Sequence, residues 1–98
     1  TGDDVRTAMR LSADWMTMAD DRILEYLAEE GTSTPKRMAD DARMRFSRSY
    51  VNARCTELAQ RSFVLNLGNG VYQITYRGQQ YLDGELDAVE VEEPAEAT

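Results

Sequence analysis

The chain has 98 residues, which is enough for one domain with one modest core. It contains no histidine and one cysteine, so it lacks the ligands of a structural zinc site, the residues of a Ser-His-Asp or Cys-His catalytic centre, and a disulfide framework. No stretch approaches the roughly 18 apolar residues of a transmembrane helix, and the acidic start Thr1-Gly2-Asp3-Asp4 is unlike a signal peptide. We therefore expect a cytoplasmic protein that is not an enzyme and has no cofactor, no metal and no membrane contact.

The basic residues are almost all arginine. The chain carries 18 acidic and 11 basic residues, for a net charge of −7, and Lys36 is its only lysine. Many carboxylates with almost no lysine are typical of proteins from halophilic archaea, because carboxylates maintain solubility. A GC-rich genome, which favours arginine codons, is the alternative explanation.

The charge is unevenly distributed along the chain. Residues 1–30 carry −5, residues 31–62 carry +4, residues 63–82 carry +1, and residues 83–98 carry −7. A basic segment within an acidic chain is the electrostatic footprint that a nucleic-acid partner requires. On charge alone, an ordinary solvated face explains the segment equally well.

Two helices are indicated in the first 30 residues. Apolar spacing is compatible with a helix over residues 3–14, and it predicts a clearer helix over residues 18–30. Thr17 is the expected N-cap of the second helix, with Asp20 at the third position of a capping box and Gly31 at its end. Since neither glycine nor proline separates residues 3 and 30, one long helix is also possible. The stripe expected to face the core consists of Ala19, Ile23, Leu24 and Leu27.

The middle of the chain predicts a bridge strand and two further helices. Residues 31–34 are too short for more than a bridge, and Thr34-Pro35 is an N-cap followed by the proline of a first helical turn, which opens a helix to about Arg43. Ser47 caps a third helix over about 48–61, with Phe46 and Val51 placed as a hydrophobic staple. The inward residues of these helices are expected to be Met38, Ala39, Ala42, Val51, Cys55, Leu58 and Ala59.

The last third of the chain predicts a hairpin, a helix and a tail. Residues 63–67 and 71–74 are rich in β-forming residues and are joined by Gly68-Asn69-Gly70, a strong hairpin signal. Thr75 can cap a helix over about 76–86, in which Gly78 permits close packing. Residues 87–98 are acidic and predict a disordered tail.

This order of elements is that of a winged helix-turn-helix domain, an α+β, mainly α fold with three helices, a β-hairpin wing and a C-terminal helix. We expect an N-terminal helical extension over residues 1–16, the winged helix over 17–86, and the tail over 87–98. The basic segment coincides with the second and third helices, and the third helix of this fold enters the major groove of DNA. Winged helices also dock proteins, so an interaction module that does not bind DNA is the alternative.

Two runs of the sequence resemble the small haloarchaeal regulators that are similar to the halophage phi-H repressor. The first is Trp15-Met-Thr-Met-Ala-Asp-Asp-Arg-Ile-Leu-Glu-Tyr-Leu27, and the second extends from Ser47-Arg-Ser-Tyr-Val-Asn-Ala-Arg-Cys through Gly70-Val-Tyr-Gln-Ile-Thr-Tyr-Arg-Gly78. The likeness covers about residues 9–86. It implies a transcriptional regulator that binds double-stranded DNA, and a repressor in particular.

Contacts to DNA bases are expected from the outward face of the third helix. Arginine binds guanine through two hydrogen bonds and asparagine binds adenine in the same way, whereas serine and threonine adapt to either. An ordinary solvated face is the alternative. The candidate base contacts are Arg48, Ser49, Asn52 and Thr56.

Contacts to phosphates are expected around this helix. Ion pairs with Asp40 and Asp41 are the competing explanation for some of these basic residues. The wing tip itself has no basic residue. The candidate phosphate contacts are Lys36, Arg37, Arg43, Arg45, Ser47, Asn69 and Arg77.

The apolar residues of the N-terminal extension need cover, which predicts a homodimer. The candidate interface residues are Val5, Met9, Trp15 and Met16. No small-molecule ligand is evident.

Overall fold

The structure is a computed structural model that describes residues 13–86. The predicted tail lies outside this range, as does all but the end of the predicted helix over residues 3–14. Residues 13–17 are not helical, so the alternative of one helix from residue 3 to 30 is wrong. The elements are α1 (Met18–Glu30), β1 (Thr32–Ser33), α2 (Pro35–Asp40), α3 (Arg48–Gln60), β2 (Val64–Gly68), β3 (Val71–Ile74) and α4 (Tyr76–Leu82).

The three strands form one antiparallel sheet in the order β1-β3-β2. Ser33 of β1 pairs with Tyr72, and Leu65 of β2 pairs with Gln73, so β3 lies between the bridge strand and the other arm of the hairpin. Four helices and this small sheet, within residues 13–86, confirm the predicted winged helix-turn-helix fold.

Two helices end earlier than the spacing of apolar residues predicts. The second helix ends at Asp40 because the Asp41 side chain accepts the Arg43 N–H at 2.9 Å and so stabilises a turn instead. Ala42 is consequently exposed, not inward, and Met44 takes its place in the core. The last helix ends at Leu82, not at residue 86, because Gly84 adopts a φ of +78° that terminates it.

The core lies between α1, α3 and the sheet. The predicted stripes are confirmed, since Ile23, Leu24, Val51 and Leu58 are all fully buried. Cys55 is buried beside them, and this burial raises the pKa of its thiol to about 12. The thiol therefore stays protonated near neutral pH and packs as a small apolar side chain.

The close approach of α4 to the hairpin depends on Gly78. A β-carbon at this position would overlap the carbonyl oxygen of Phe63 and lie 2.8 Å from Cγ1 of Ile74. The carbonyl cannot easily move away, because it accepts the N–H of Thr75 at 3.1 Å. The prediction that this glycine permits close packing is therefore confirmed.

Substitution of Gly78 by alanine is expected to destabilise the protein by about 1–3 kcal/mol, because the added methyl group forces α4 away from the hairpin. The measurement is the free energy of unfolding in urea, with Gln79→Ala as the neighbouring control, which is expected to change it by less than about 0.5 kcal/mol. Without the overlap, alanine would stabilise the helix by about 0.5–1 kcal/mol. A stabilised Gly78→Ala variant would therefore contradict the prediction.

Candidate nucleic-acid interface

A buried ion pair holds α3 against α1. The Asp20 carboxylate, fully buried, accepts hydrogen bonds from Nε and Nη2 of Arg54, each at 2.9 Å. Asp20 also accepts the N–H of Thr17 at 2.8 Å, which is the bond expected of Asp20 in the capping box, and Nη2 of Arg54 donates to the Trp15 carbonyl at 2.9 Å. The hydrogen bonds to Asp20 raise the pKa of the Arg54 guanidinium. Arg54 therefore positions α3 and the segment before α1.

The outward face of α3 is exposed as predicted. Ser47 caps the helix by accepting the Tyr50 N–H at 3.2 Å, while the buried residues on the opposite side fix the rotation of the helix about its axis. Thr56 donates its hydroxyl to the Asn52 carbonyl at 3.1 Å, so only its acceptor capacity faces outward. The candidate base contacts Arg48, Ser49, Asn52 and Thr56 are all exposed, as is Ala53.

The start of α2, the start of α3 and the wing tip enclose an open groove of about 620 Å³. The groove brings together one candidate from α2, three from α3 and one from the wing, which are far apart in the sequence. Thr56 lies beyond it, one turn further along α3. The residues that line the groove are Thr34, Pro35, Lys36, Arg48, Ser49, Asn52, Asn69 and Gly70.

Arg43 is held by carboxylates of its own chain. Its guanidinium contacts Glu29 at 2.6 Å, Asp41 at 2.9 Å and Glu30 at 3.3 Å, and it lies 4.9 Å above the centre of the Tyr26 ring. The hydrogen bonds from Arg43 lower the pKa of the Asp41 carboxyl to about 2. The competing explanation of surface pairing thus applies to this candidate phosphate contact.

Ion pairs also engage other basic residues of the segment 31–62. Lys36 contacts Asp40 at 3.2 Å in an exposed pair, while Arg61 contacts Glu57 at 2.7 Å and stacks 4.5 Å from the centre of the Trp15 ring. Together with Arg43 and Arg54, four of the seven basic residues in the segment 31–62 therefore form ion pairs. Of the basic residues from 31 to 77, those without an ion pair inside residues 13–86 are Arg37, Arg45, Arg48 and Arg77.

The structural roles of Arg54 and Arg61 were missed at the sequence level. The partner of Arg54 lies 34 residues away on α1, so no local spacing indicates the pair. The Glu57–Arg61 spacing of four residues on one helix was the available signal for the second.

The candidate interface residues of the N-terminal extension are described only in part. Val5 and Met9 lie outside the described residues, whereas Trp15 and Met16 are partly buried against the core. The Trp15 ring packs edge-on against Phe63 with 5.7 Å between ring centres. Trp15 therefore has cover within its own chain, and its role in a dimer stays a prediction.

No helix among residues 13–86 is both long and apolar enough to cross a membrane. The same residues contain no group of three or more cysteine, aspartate or glutamate side chains placed to hold a metal ion.

Comparison with known proteins identifies relatives of the chain. Residues 9–94 match the winged helix-turn-helix phage repressors. The crystal structure of the PhiH1 repressor-like protein from Haloarcula marismortui is similar, with 48% sequence identity and a TM-score of 0.79 over 81% of this chain and 90% of that one. Among curated proteins no match was found.

Proposed function

Because the chain belongs to the family of winged helix-turn-helix phage repressors, a regulatory and non-enzymatic family, we propose that it is a sequence-specific DNA-binding transcriptional repressor. The observation that carries the proposal is the groove, in which Arg48, Ser49 and Asn52 of α3 converge with Lys36 and the wing tip. The side chains suited to contact bases and those suited to contact phosphates thus lie side by side on one concave surface.

In this proposal α3 enters the major groove and the surrounding elements contact the backbone. The bases are contacted by Arg48, Ser49, Asn52 and Thr56. Lys36 exchanges its exposed carboxylate partner for a phosphate, since a surface ion pair contributes little stability. The remaining phosphate contacts are Arg37, Arg45, Ser47, Asn69 and Arg77.

We expect Asn52→Ala to weaken binding to the operator by about 1–3 kcal/mol, which is roughly 5- to 150-fold, because one bidentate base contact is lost. The operator is first identified by capture of genomic fragments with the native protein, and affinity is then measured by fluorescence anisotropy on operator and random duplexes. Gln60→Ala, which removes an exposed amide at the far end of the same helix, is the matched control and is expected to bind as the native protein does.

An equal loss on operator and random DNA would contradict the assignment of Asn52 to a base. No binding of the native protein to any DNA would favour the alternative, a module that docks proteins.

We also propose that the protein acts as a homodimer through Val5, Met9, Trp15 and Met16, because paired winged helices match half-sites about one helical turn apart. The double substitution Val5→Glu and Met9→Glu is expected to convert the dimer into a monomer in sedimentation equilibrium. The melting temperature, which reports the core of residues 13–86, should stay near that of the native protein. An unchanged dimer would place the interface elsewhere.

The same relatives support a proposal for the source and location of the protein. The neighbour from Haloarcula and the scarcity of lysine support a halophilic archaeal origin. A repressor of this kind works in the cytoplasm, where its DNA is.

A further inference from the structure

The α3 helix has a second flank, turned away from the groove, on which Tyr50 is exposed. Successive residues of a helix are about 100° apart, so Tyr50 points roughly 160° away from Asn52. Residues four, seven and eleven positions after Tyr50 share its stripe. We call the stripe of Tyr50, Arg54, Glu57 and Arg61 the Tyr50 flank.

Both flanks of α3 face phosphates when the helix lies in DNA. The major groove is about 12 Å wide, and a helix with its side chains is about 10–12 Å across. The helix therefore fills the major groove of DNA from one sugar-phosphate wall to the other. The flank that adjoins Lys36 meets one sugar-phosphate wall, and the Tyr50 flank meets the other.

The cations of the Tyr50 flank are not available to that second wall. Arg54 is drawn inward to the buried Asp20, and its side chain is only 18% exposed. Arg61 is equally covered, between Glu57 and the Trp15 ring. Glu57 is an anion and lies about two helical turns beyond Tyr50. Among the described residues of the flank, Tyr50 is thus the exposed hydrogen-bond donor nearest the start of the helix.

The Tyr50 ring is also held in place. It packs on the half-buried ring of Phe46 with 5.6 Å between ring centres, in a tilted arrangement that aromatic pairs favour. Its residue is 39% exposed, and its hydroxyl has no hydrogen-bond partner within residues 13–86. Little conformational freedom is lost when such a side chain makes a contact, in contrast to a long, mobile arginine.

From this placement we infer that Tyr50 is a DNA-contact residue, whose hydroxyl donates a hydrogen bond to a phosphate on the wall of the major groove opposite to Lys36. The inference rests on the proposed function and adds to it the contact on the second strand. An uncharged donor on this side also means that the two walls differ. Contacts of basic side chains to the sugar-phosphate wall near Lys36 release counterions, whereas the contact of Tyr50 to the opposite wall releases few.

The test uses the full chain with Tyr50→Phe, which keeps the ring on Phe46 and removes only the hydroxyl. Affinity is expected to fall about 3- to 15-fold, by the same factor on operator and random duplexes, because a phosphate contact is independent of sequence. The slope of log affinity against log salt should be unchanged, since no charge is removed. Tyr26→Phe, on α1 beneath Arg43, is the matched control and should bind as the native protein does.

A scan of the operator with single methylphosphonate substitutions locates the contact. At one phosphate, and not at others, the loss caused by the methyl group should be smaller in Tyr50→Phe than in the native protein. Unchanged affinity of Tyr50→Phe, equal losses at every phosphate, or a loss on the operator alone would each overturn the inference. These results are distinct from failure of the proposed function, because in that case the native protein does not prefer an operator and Asn52→Ala has no effect.

Discussion

Substitution of Arg54 by alanine is expected to destabilise the protein by about 3–5 kcal/mol, which is a large part of the stability of a small domain. The reason is the partner that remains. Asp20 is fully buried, and its carboxylate accepts hydrogen bonds from Arg54 and from the Thr17 N–H. Without Arg54, only the bond from Thr17 is left of these. The substitution also frees the Trp15 carbonyl, which tethers the segment before α1 to α3.

Urea unfolding of the native protein and Arg54→Ala measures this loss, with Arg37→Ala as the control. Arg37 is exposed and makes no ion pair within residues 13–86, so its removal is expected to change the free energy of unfolding by less than about 0.5 kcal/mol. The double substitution Asp20→Leu and Arg54→Leu is expected to recover much of the loss, since it removes the unpaired charge. A loss below about 1 kcal/mol for Arg54→Ala would show that water reaches Asp20.

The ends of α1 and α3 illustrate what the sequence determines locally. Thr17 and Ser47 are caps, and the apolar residues behind them recur at helical spacing, so both helices were predicted to within about one residue of their bounds. The early end of α2 was missed because it depends on a competing hydrogen bond, which the Arg43 N–H in the turn donates to the Asp41 carboxylate. The early end of α4 was missed although Gly84 is a visible helix terminator.

The candidate site was harder to predict because charges pair across the fold. The excess of basic residues in residues 31–62 predicted a DNA-binding surface there, and Arg48, Ser49 and Asn52 of that segment do lie together. The number of basic residues did not show which of them are available to DNA, because Arg54 forms an ion pair with Asp20 of α1 and Arg43 forms one with Glu29 near the end of α1. These pairs require knowledge of how α1 packs on α3 and on the turn after α2, which no spacing along the chain contains.

That pairing leads to a second prediction with a large effect, on the salt dependence of DNA binding. Each phosphate neutralised by a basic side chain makes the slope of log affinity against log salt more negative by about 0.9. If all eight bases of residues 31–77 contacted phosphates, the slope would be about −7. Of these eight, only Arg37, Arg45, Arg48 and Arg77 make no ion pair within residues 13–86, and Lys36 has an exchangeable partner. We therefore expect a slope no steeper than about −4.5.

The acidic segments should make the slope shallower still. Residues 1–30 carry −5 and residues 83–98 carry −7, and carboxylates that approach DNA phosphates take up cations on binding. Uptake opposes the release of counterions, so the net slope approaches zero or reverses, and binding persists at molar KCl. Deletion of residues 87–98 removes five acids and is expected to steepen the slope if that segment lies near the DNA.

The measurement is log affinity against log KCl from about 0.5 to 3 M, and paired arginine variants make it specific. Arg48→Ala is expected to weaken binding and to make the slope shallower by about one unit, because a phosphate or base contact with its counterion release is lost. Arg43→Ala should leave the slope unchanged, since its guanidinium is already neutralised by Glu29, Glu30 and Asp41. A native slope near −7, with an equal effect of both variants, would mean that DNA draws Arg43 away from its carboxylates, and that the acidic surface contributes solubility alone.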